Sequence, residues 1–414
     1  MSSKSEYCWP GWPNFSEDEA SLIGEVLLSN QVNYWTGSRC IDFERQFAKL
    51  VGCDFGVAVS NGTVALELAL FGLGVGERNG GTKNDEVIVT PRSFVASAST
   101  ILLAGAKPIF VDVDLESQNI SPSSIANAIT QHTRAIICVH HNGWPCDMDK
   151  IIRLTNGKDI KIIEDCAQAH GAIYKGTPVG CLGDVAAWSF CQDKIITTAG
   201  EGGMLTTNDP AIRDRVWSFK DHGKSEQKVK QSRGLPGFKW VHENLGSNFR
   251  LTEIQAAIGL HQLTKLEEWT KQRANNANLL TQYLQDFDPM GNLIRVPKIT
   301  ADAASNFDQP ETWHANYKFY FFVNSTSQNV VELRNSILFE IQKAGVNCFV
   351  GSCPEIYLEG VFKDRSIKPA TRLPNAKLLG ETSLALQVHP TLSEQHINQM
   401  GAVVCEVLSS VLLG

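Results

Sequence analysis

In KIIEDCAQAHG (161–171) an apolar run ends in two acids, Glu164 and Asp165. Successive strand residues point to opposite faces, so only one of the two can face a cleft at the strand's end. A carboxylate there can hold a protonated pyridine nitrogen, the contact that turns a pyridoxal cofactor into an electron sink. Gln168, three residues on, can hydrogen-bond an oxygen on the same ring. The plainer alternative is a solvated acid capping the next helix. WSFCQDKIITTAGEGGM (188–204) supplies the complementary group: Lys194 follows a strand-like run and precedes a glycine-rich turn. A lysine held in a partly desolvated pocket has a lowered pKa, is nucleophilic, and forms a Schiff base with an aldehyde. Ser189 can donate to a phosphate, and Gly200, Gly202 and Gly203 permit close backbone approach. By itself Lys194 reads as a surface lysine in a loop; the strand-end Asp165 upstream is what argues otherwise.

Two more segments fit the same ligand. VSNGTVALELAL (59–70) leads a strand through Asn61, Gly62 and Thr63 into an apolar helix. The free amides and dipole of a helix N-terminus favour a phosphate, although the same triplet is an ordinary N-cap. TPRSFVAS (90–97) puts Phe94 just past a strand end, where its ring can stack on a flat cofactor or pack into the core. Candidates for a substrate pocket are Tyr34, Trp35, His140, His141, Lys220 and His222. Each histidine also reads as a packed or surface residue. Lys220 offers a cation to a diphosphate, or to solvent.

These residues need a frame. Strand-like runs fall at 55–60, 85–90, 107–113, 135–141, 160–165, 185–190 and 202–208, and helical patterns at 62–73, 93–104, 121–130, 146–155 and 252–280. Continuous apolar runs are expected of strands covered on both faces. Their alternation with helices predicts an α/β fold with a doubly wound, mostly parallel sheet, in which ligands bind beyond the carboxyl ends of the strands. Residues 1–40 read as an N-terminal arm rich in aromatics, 41–265 as the large domain, and 266–414 as a smaller C-terminal α+β domain with a strand at 317–323 and helices at 328–344 and 392–411. The long 252–280 helix would join the two domains. Residues 74–84 and 221–237 read as loops, and no internal repeat is evident.

The bulk numbers exclude other classes. The 414 residues, 43% hydrophobic and 20% charged, suit a globular protein of two or three domains. A net charge of −7 argues against a non-specific grip on nucleic acid, and the one basic cluster, Lys228, Lys230 and Arg233, reads as a solvated loop. No run of about 18 apolar residues predicts a membrane span, and MSSKSEYCWPGWPNF lacks the basic start and apolar run of a secretory leader. Eleven irregularly spaced cysteines, none in CxxC pairs, suit reduced thiols in the cytoplasm. Cys166 and Cys191 read as small buried hydrophobes rather than catalytic groups. No metal site is expected.

Taken in order, NGT (61–63), PRSF (91–94), VHHNGWPCDMD (139–149), EDCAQAHGA (164–172), SFCQDKIITTAGEGGM (189–204), NFR (248–250) and EIQAAIG (253–259) carry a likeness to a known family. It resembles the DegT-type family of nucleotide-sugar aminotransferases, which depend on pyridoxal 5′-phosphate (PLP) and have the aspartate-aminotransferase-like fold (PLP fold type I). The resemblance runs from about Asn33 to the end, and the block around Asp165 and Lys194 is its most specific part. It implies that Lys194 carries the cofactor and later shuttles a proton, and that Asp165 pairs with the pyridinium nitrogen. It further implies Gln168 beside the ring hydroxyl, Phe94 stacked on the ring, and Gly62, Thr63 and Ser189 on the phosphate. Asn248 would reach the phosphate of a neighbouring subunit, which makes the active unit a homodimer with shared sites. The chain departs from the family pattern at three places. Cys191 and Gln192 stand where a histidine often follows the SF pair, His141 and Asn142 replace a common pair that lines the sugar pocket, and 349–362 replaces a proline-rich stretch.

The implied reaction moves an amino group from an amino acid, glutamate, to a keto sugar nucleotide in amino-sugar and surface-polysaccharide synthesis. One lysine can act as base and then as acid when its two forms are both accessible at working pH. Alternatives are amination of a cyclic keto-inositol, a PLP-dependent sugar dehydratase, and a non-enzymatic regulator. An intact Lys194 argues against the family branch that dehydrates sugars, where histidine replaces the lysine. A pure binder needs neither Lys194 nor Asp165.

Overall fold

The computed structural model describes residues 9–232, 234, 236–298, 311–324, 329–363 and 367–414. Seven short apolar runs build the main sheet: β1 (Phe55–Val59), β2 (Glu86–Val89), β3 (Lys107–Phe110), β4 (Thr133–Val139), β5 (Lys161–Asp165) and, after a separate hairpin of β6 (Ile173–Tyr174) and β7 (Thr177–Pro178), β8 (Val185–Ser189) and β9 (Gly203–Thr207). The order across the sheet is β1-β9-β8-β5-β4-β2-β3. Pairs from β8 through β5, β4 and β2 to β3 are parallel, and β9 alone runs against its neighbours.

Neighbouring residues on the strands divide between two cores. Ala58, Ile88, Ile136, Ile162, Ala186 and Met204 join a cluster with Phe43, Phe47 and Phe190. Val57, Val87, Ile137, Ile163, Val185 and Leu205 join another with Leu68, Leu70 and Ile101. Both faces of the sheet are therefore buried, which explains runs without polar alternation. The covering helices are α1 (Glu17–Leu28), α2 (Arg39–Val51), α3 (Gly62–Leu73), α4 (Ala96–Leu103), α5 (Pro122–Ala128), α6 (Met148–Thr155), α7 (Pro210–Lys220), the short α8 (Glu226–Gln231) and α9 (Glu253–Leu263). α10 (Leu266–Phe287) leads to a second sheet of β10 (Ile294–Arg295), β11 (Phe319–Val323), β12 (Cys348–Phe349) and β13 (Ser383–Leu386). Its order is β10-β11-β13-β12, antiparallel throughout. Helices α11 (Val330–Lys343), α12 (Pro374–Thr382) and α13 (Glu394–Leu412) complete this part, and its core joins Phe321, Leu384, Ile337 and Val404 to Leu280 and Leu284 of α10.

The structure corrects several expectations. The single helix expected over 252–280 is two helices. α9 stops at Thr264, whose amide and hydroxyl both bond the His261 carbonyl, and α10 starts afresh at Leu266. The helix expected from 93 begins at Ala96. The segment expected to be an arm holds α1, capped by Ser16 and tied to α9 by a 2.9 Å bond from Gln262 Nε2 to Glu19 Oε1. The polar stretch 221–237 contains α8, where Lys230 pairs with Glu226 and Lys228 with Glu243. Arg233 lies outside the described residues. Among the described residues no helix is long and apolar enough to cross a membrane.

Candidate active site

The two acids at the end of β5 point to opposite sides, as the pleat requires. Glu164 is fully buried and accepts four hydrogen bonds. Oε2 receives His140 Nε2 and Gly180 N, each at 2.9 Å, and Oε1 receives Leu182 N and Gly183 N, each at 2.8 Å. His140 Nδ1 accepts from Cys146 N at 3.0 Å, so the ring's proton sits on Nε2 and is donated to Glu164. Burial raises the Glu164 pKa, but the bonds from His140 and the loop amides outweigh it and the net shift is downward. Asp165 is equally buried and far less well served. Oδ2 accepts from Ser97 Oγ at 2.8 Å and Oδ1 from Ala167 N at 3.2 Å. Burial dominates here, and the Asp165 pKa lies above the ordinary range in spite of Ser97, Ala167 and the charge of Lys194. A buried carboxylate with only neutral hydrogen-bond donors is a ready partner for a cation.

Lys194 lies beyond β8, the neighbour of β5, and its side chain is only 16% exposed. Its Nζ is 3.7 Å from Asp193 and 5.3 Å from the centre of the Tyr317 ring, while the Tyr317 hydroxyl donates to Asp193. The backbone is held as well, by Trp12 Nε1 donating to the Lys194 carbonyl at 2.9 Å. His170 is buried against Trp188 and Phe190, and burial with the Lys194 and Arg273 charges pushes its pKa down to about 3, so it is neutral.

At the far side of β8, the start of α3 forms a cradle. Asn61 caps the helix by accepting from Val64 N at 2.9 Å. Gly62 and Thr63 occupy its first turn, whose amides have no partner inside the helix. A Cβ on Gly62 would lie 2.6 Å from Ser189 Cβ and 3.1 Å from Ser189 Oγ, so only glycine lets this turn meet the serine. Phe94 is 68% exposed, which rules out the core-packing alternative and leaves a free aromatic face past the end of β2. Gln168 Oε1 accepts from Asn142 N at 2.6 Å, leaving its NH2 group to donate elsewhere.

Other candidates go elsewhere. Lys220 is fully buried, with Nζ 2.7 Å from Glu44 Oε1 and 3.2 Å from the Ala58 carbonyl; it braces α2 against β1 and is closed to a diphosphate. Tyr34 is buried over the same ammonium and hydrogen-bonds Glu44 and Trp217. Trp35 donates to Asp221 at 2.6 Å, a carboxylate also paired with Lys224 and Arg250. His140 braces Glu164 rather than lining a pocket. His140, Glu164 and Cys166 are spaced closely enough for a metal ion, but both ring nitrogens and both carboxylate oxygens are already engaged. His222 is exposed beside His242, and Asn248 is exposed with its backbone bridged to Asp221. His141 is buried, and both its ring nitrogens are unpartnered.

Comparison with known proteins fits this arrangement. The family model for DegT/DnrJ/EryC1/StrS aminotransferases matches residues 13–405. The chain belongs to that family. A solved aminotransferase from Psychrobacter cryohalolentis is 45% identical, with a TM-score of 0.91 over 98% of this chain and 100% of that one. GDP-perosamine synthase of Escherichia coli O157:H7 is 32% identical over 397 residues, 96% of each chain. L-glutamine:2-deoxy-scyllo-inosose aminotransferase of Streptomyces fradiae is 35% identical over 303 residues, 72% of this chain and 68% of that one. The fold is accordingly the aspartate-aminotransferase-like α/β fold, and the enzyme is a PLP-dependent aminotransferase of a family that acts on sugars. Its residues fit the cofactor: a buried acid with only neutral donors, a half-screened lysine, a glycine cradle closed by a serine, and an exposed aromatic ring.

Several neighbours of the site escaped the sequence reading. Ser97 lies three residues after Phe94, in the first turn of α4, and is buried where Phe94 is exposed, so the Phe94 motif did not mark it. Tyr317 and Trp12 meet Lys194 from 123 and 182 residues away, and no local pattern marks them. Arg92 lies inside a motif read only for Phe94.

Proposed function

We propose that this aminotransferase moves an amino group from glutamate to a keto sugar nucleotide, in the synthesis of an amino sugar for a surface polysaccharide. The observation that carries the reading is Asp165, buried with only neutral donors at the end of β5, beside Lys194 beyond β8. The perosamine synthase relative supports the nucleotide-sugar acceptor. The inosose aminotransferase relative supports a cyclic keto-inositol as the second reading.

PLP, when bound, supplies the electron sink. Asp165 holds the positive charge on the ring nitrogen. Gly62, Thr63 and Ser189 bind the phosphate, Phe94 covers one face of the ring, and Gln168 donates to the ring hydroxyl. Lys194 Nζ would take the proton from the donor's α-carbon and, in the second half of the reaction, deliver one to the sugar carbon that receives the amine. Asp193, fixed by Tyr317, orients that amine. Asn248 reaches the phosphate of a second copy, so the working form is a homodimer, acting in the cytoplasm. The N-terminal segment, a large domain to about residue 265 and a small domain beyond it are the units we propose.

The test is the visible spectrum of the purified protein before and after glutamate. A yellow protein that bleaches on adding glutamate and releases keto acid supports the reading, and Lys194→Ala should abolish the response. A yellow protein indifferent to glutamate has another donor or is an elimination catalyst. A protein that cannot be loaded with PLP refutes the role of Lys194. Parallel assays with a keto sugar nucleotide and a keto-inositol separate the two acceptors.

A further inference from the structure

Arg92 follows β2, His141 follows β4, and the two strands are neighbours in the sheet. Their side chains are buried against the same residue of β11, Tyr320. The Arg92 guanidinium lies 5.7 Å from the centre of the Tyr320 ring, and the His141 ring is 5.5 Å from the same ring. Arg92 is 0% exposed. Its Nε donates to Gln118 Oε1 at 3.0 Å, but neither terminal nitrogen has a partner, and no described residue forms a salt bridge with it. His141 is also 0% exposed, with neither ring nitrogen bonded.

A buried guanidinium with both terminal nitrogens unpaired costs far more than a surface one, because buried polar groups are otherwise almost always hydrogen-bonded. Such a fork matches a planar oxyanion that takes two parallel N–H···O bonds. Charge balance selects among oxyanions. The nearby histidines, His141 and His314, are neutral, since burial pushes His141 well down and His314 to about 3. The one fully buried positive charge is then matched by a single carboxylate, with half-buried Lys318 the next cation out, whereas a diphosphate would bury more negative charge than Arg92 can balance.

The cover is short. Residues 351–353 are half-buried, and they are tied down by Ser93 N donating to the Cys353 carbonyl at 3.2 Å and Ser352 N to Tyr320 Oη at 3.0 Å. The position also adjoins the proposed chemistry. Ser93, next to Arg92, is hydrogen-bonded to Ser97, and Ser97 donates to Asp165. Two of the segments in which this chain departs from the family pattern, 139–149 and 349–362, meet here.

We infer that Arg92 is the seat of a substrate carboxylate, with His141 as the neutral hydrogen-bonding wall beside it. The inference rests on the proposed reaction between an amino acid and a keto sugar, either of which can carry that carboxylate. The test compares wild type with Arg92→Gln and Arg92→Lys, each loaded with PLP and checked by its visible band. Three readouts follow: calorimetric titration with glutarate, which has no amine to transfer; the bleaching rate with glutamate; and the return of colour when the aminated form meets the keto sugar nucleotide. For a donor carboxylate, Arg92→Gln weakens glutarate and glutamate about 10- to 100-fold with the sugar step unchanged. For a sugar carboxylate, the loss falls on the sugar step alone. Arg92→Lys should recover only part of either loss, because it keeps the charge without the fork, and it carries the test if Arg92→Gln does not fold. Equal behaviour of all three proteins in all readouts overturns the inference. A wild type that binds PLP but ignores glutamate refutes the proposed donor instead, and the sugar step then judges Arg92.

Discussion

Glu164 and Asp165 are adjacent, buried and of the same chemical type, yet neutralising them should have opposite consequences. In Glu164→Gln the new NH2 group must face one of two pairs of donors: His140 Nε2 with Gly180 N, or Leu182 N with Gly183 N. None of these can reverse. Three are backbone amides, and His140 cannot change tautomer because its Nδ1 already accepts from Cys146 N. Two buried donors are stranded whichever way the amide turns, at about 1–3 kcal/mol each, so the variant should lose about 2–6 kcal/mol. In Asp165→Asn the network can adapt. Ser97 sits between Asp165 and Ser93, and its hydroxyl can turn to accept from the new NH2 while donating to Ser93. Ala167 N keeps its acceptor. The signs of the pKa shifts agree. Glu164 has a lowered pKa when folded, so its contribution is present above the unfolded value of about 4.3 and lost as pH falls through the folded value. Asp165 has a raised pKa when folded, so ionising it opposes folding, and stability is lost as pH rises through the folded value. Removing that charge leaves the cofactor-free protein at neutral pH as stable or more so.

The assay is urea unfolding of the cofactor-free proteins at pH 7, followed by circular dichroism, beside the glutamate half-reaction of the loaded proteins. Glu164→Gln should unfold at clearly lower urea. Asp165→Asn should match or exceed wild type, and lose about 100- to 10,000-fold in rate, since removing one partner of a buried ion pair costs roughly 3–5 kcal/mol. A Glu164→Gln protein within about 1 kcal/mol of wild type, or an Asp165→Asn protein destabilised as much as Glu164→Gln, refutes the account of β5 given above.

Phe94→Ala should leave stability within about 0.5 kcal/mol, because the ring is exposed, while weakening PLP binding measurably by fluorescence titration. Lys220→Met should unfold at lower urea by about 3–5 kcal/mol, because it strands buried Glu44, with no change in the KM for the sugar nucleotide; a raised KM would return Lys220 to the substrate site. If Asn248 completes a partner's site, mixing inactive Lys194→Ala with inactive Asn248→Ala should restore about one quarter of wild-type activity through mixed dimers with one intact site. No recovery after subunit exchange places Asn248 in its own subunit's site.

What the sequence reveals depends on how local each constraint is. Strands buried on both faces announce themselves as apolar runs, and seven such runs became the seven strands of the main sheet. Alternation along β5 is equally local, so the divergence of Glu164 and Asp165 followed from spacing alone. The break at Thr264 carried no glycine or proline, because a hydroxyl and an amide turning back to the His261 carbonyl end α9 without either. Lys220 and Tyr34 looked like pocket residues because nothing nearby in sequence shows that Glu44 and Trp217 will close over them. Polar residues in a list of candidates become structural braces or ligand contacts according to partners outside their own segment, as far off as the 176 residues between Lys220 and Glu44, and that distinction belongs to the tertiary structure.

The buried charges of this protein make that distinction visible. Lys220 has Glu44, Asp221 has Arg250 and Lys224, and Glu164 has four donors. Arg273 lies over Trp12, where it bonds the carbonyls of Asn316 and Tyr317, and so joins the N-terminal segment to the wall beside Lys194. Among the described residues, Asp165 and Arg92 are two whose burial is poorly compensated: one lacks a cation, the other an anion. Asp165 stands at the carboxyl end of β5 and Arg92 just beyond that of β2, where ligands of such folds bind. A cofactor with a cationic ring and a substrate with a carboxylate would supply the two missing charges. The cofactor-free fold therefore carries two unfavourable burials that binding relieves, so PLP should raise the protein's unfolding temperature, and, for a donor carboxylate on Arg92, glutarate should raise it too, by less in Arg92→Gln than in wild type.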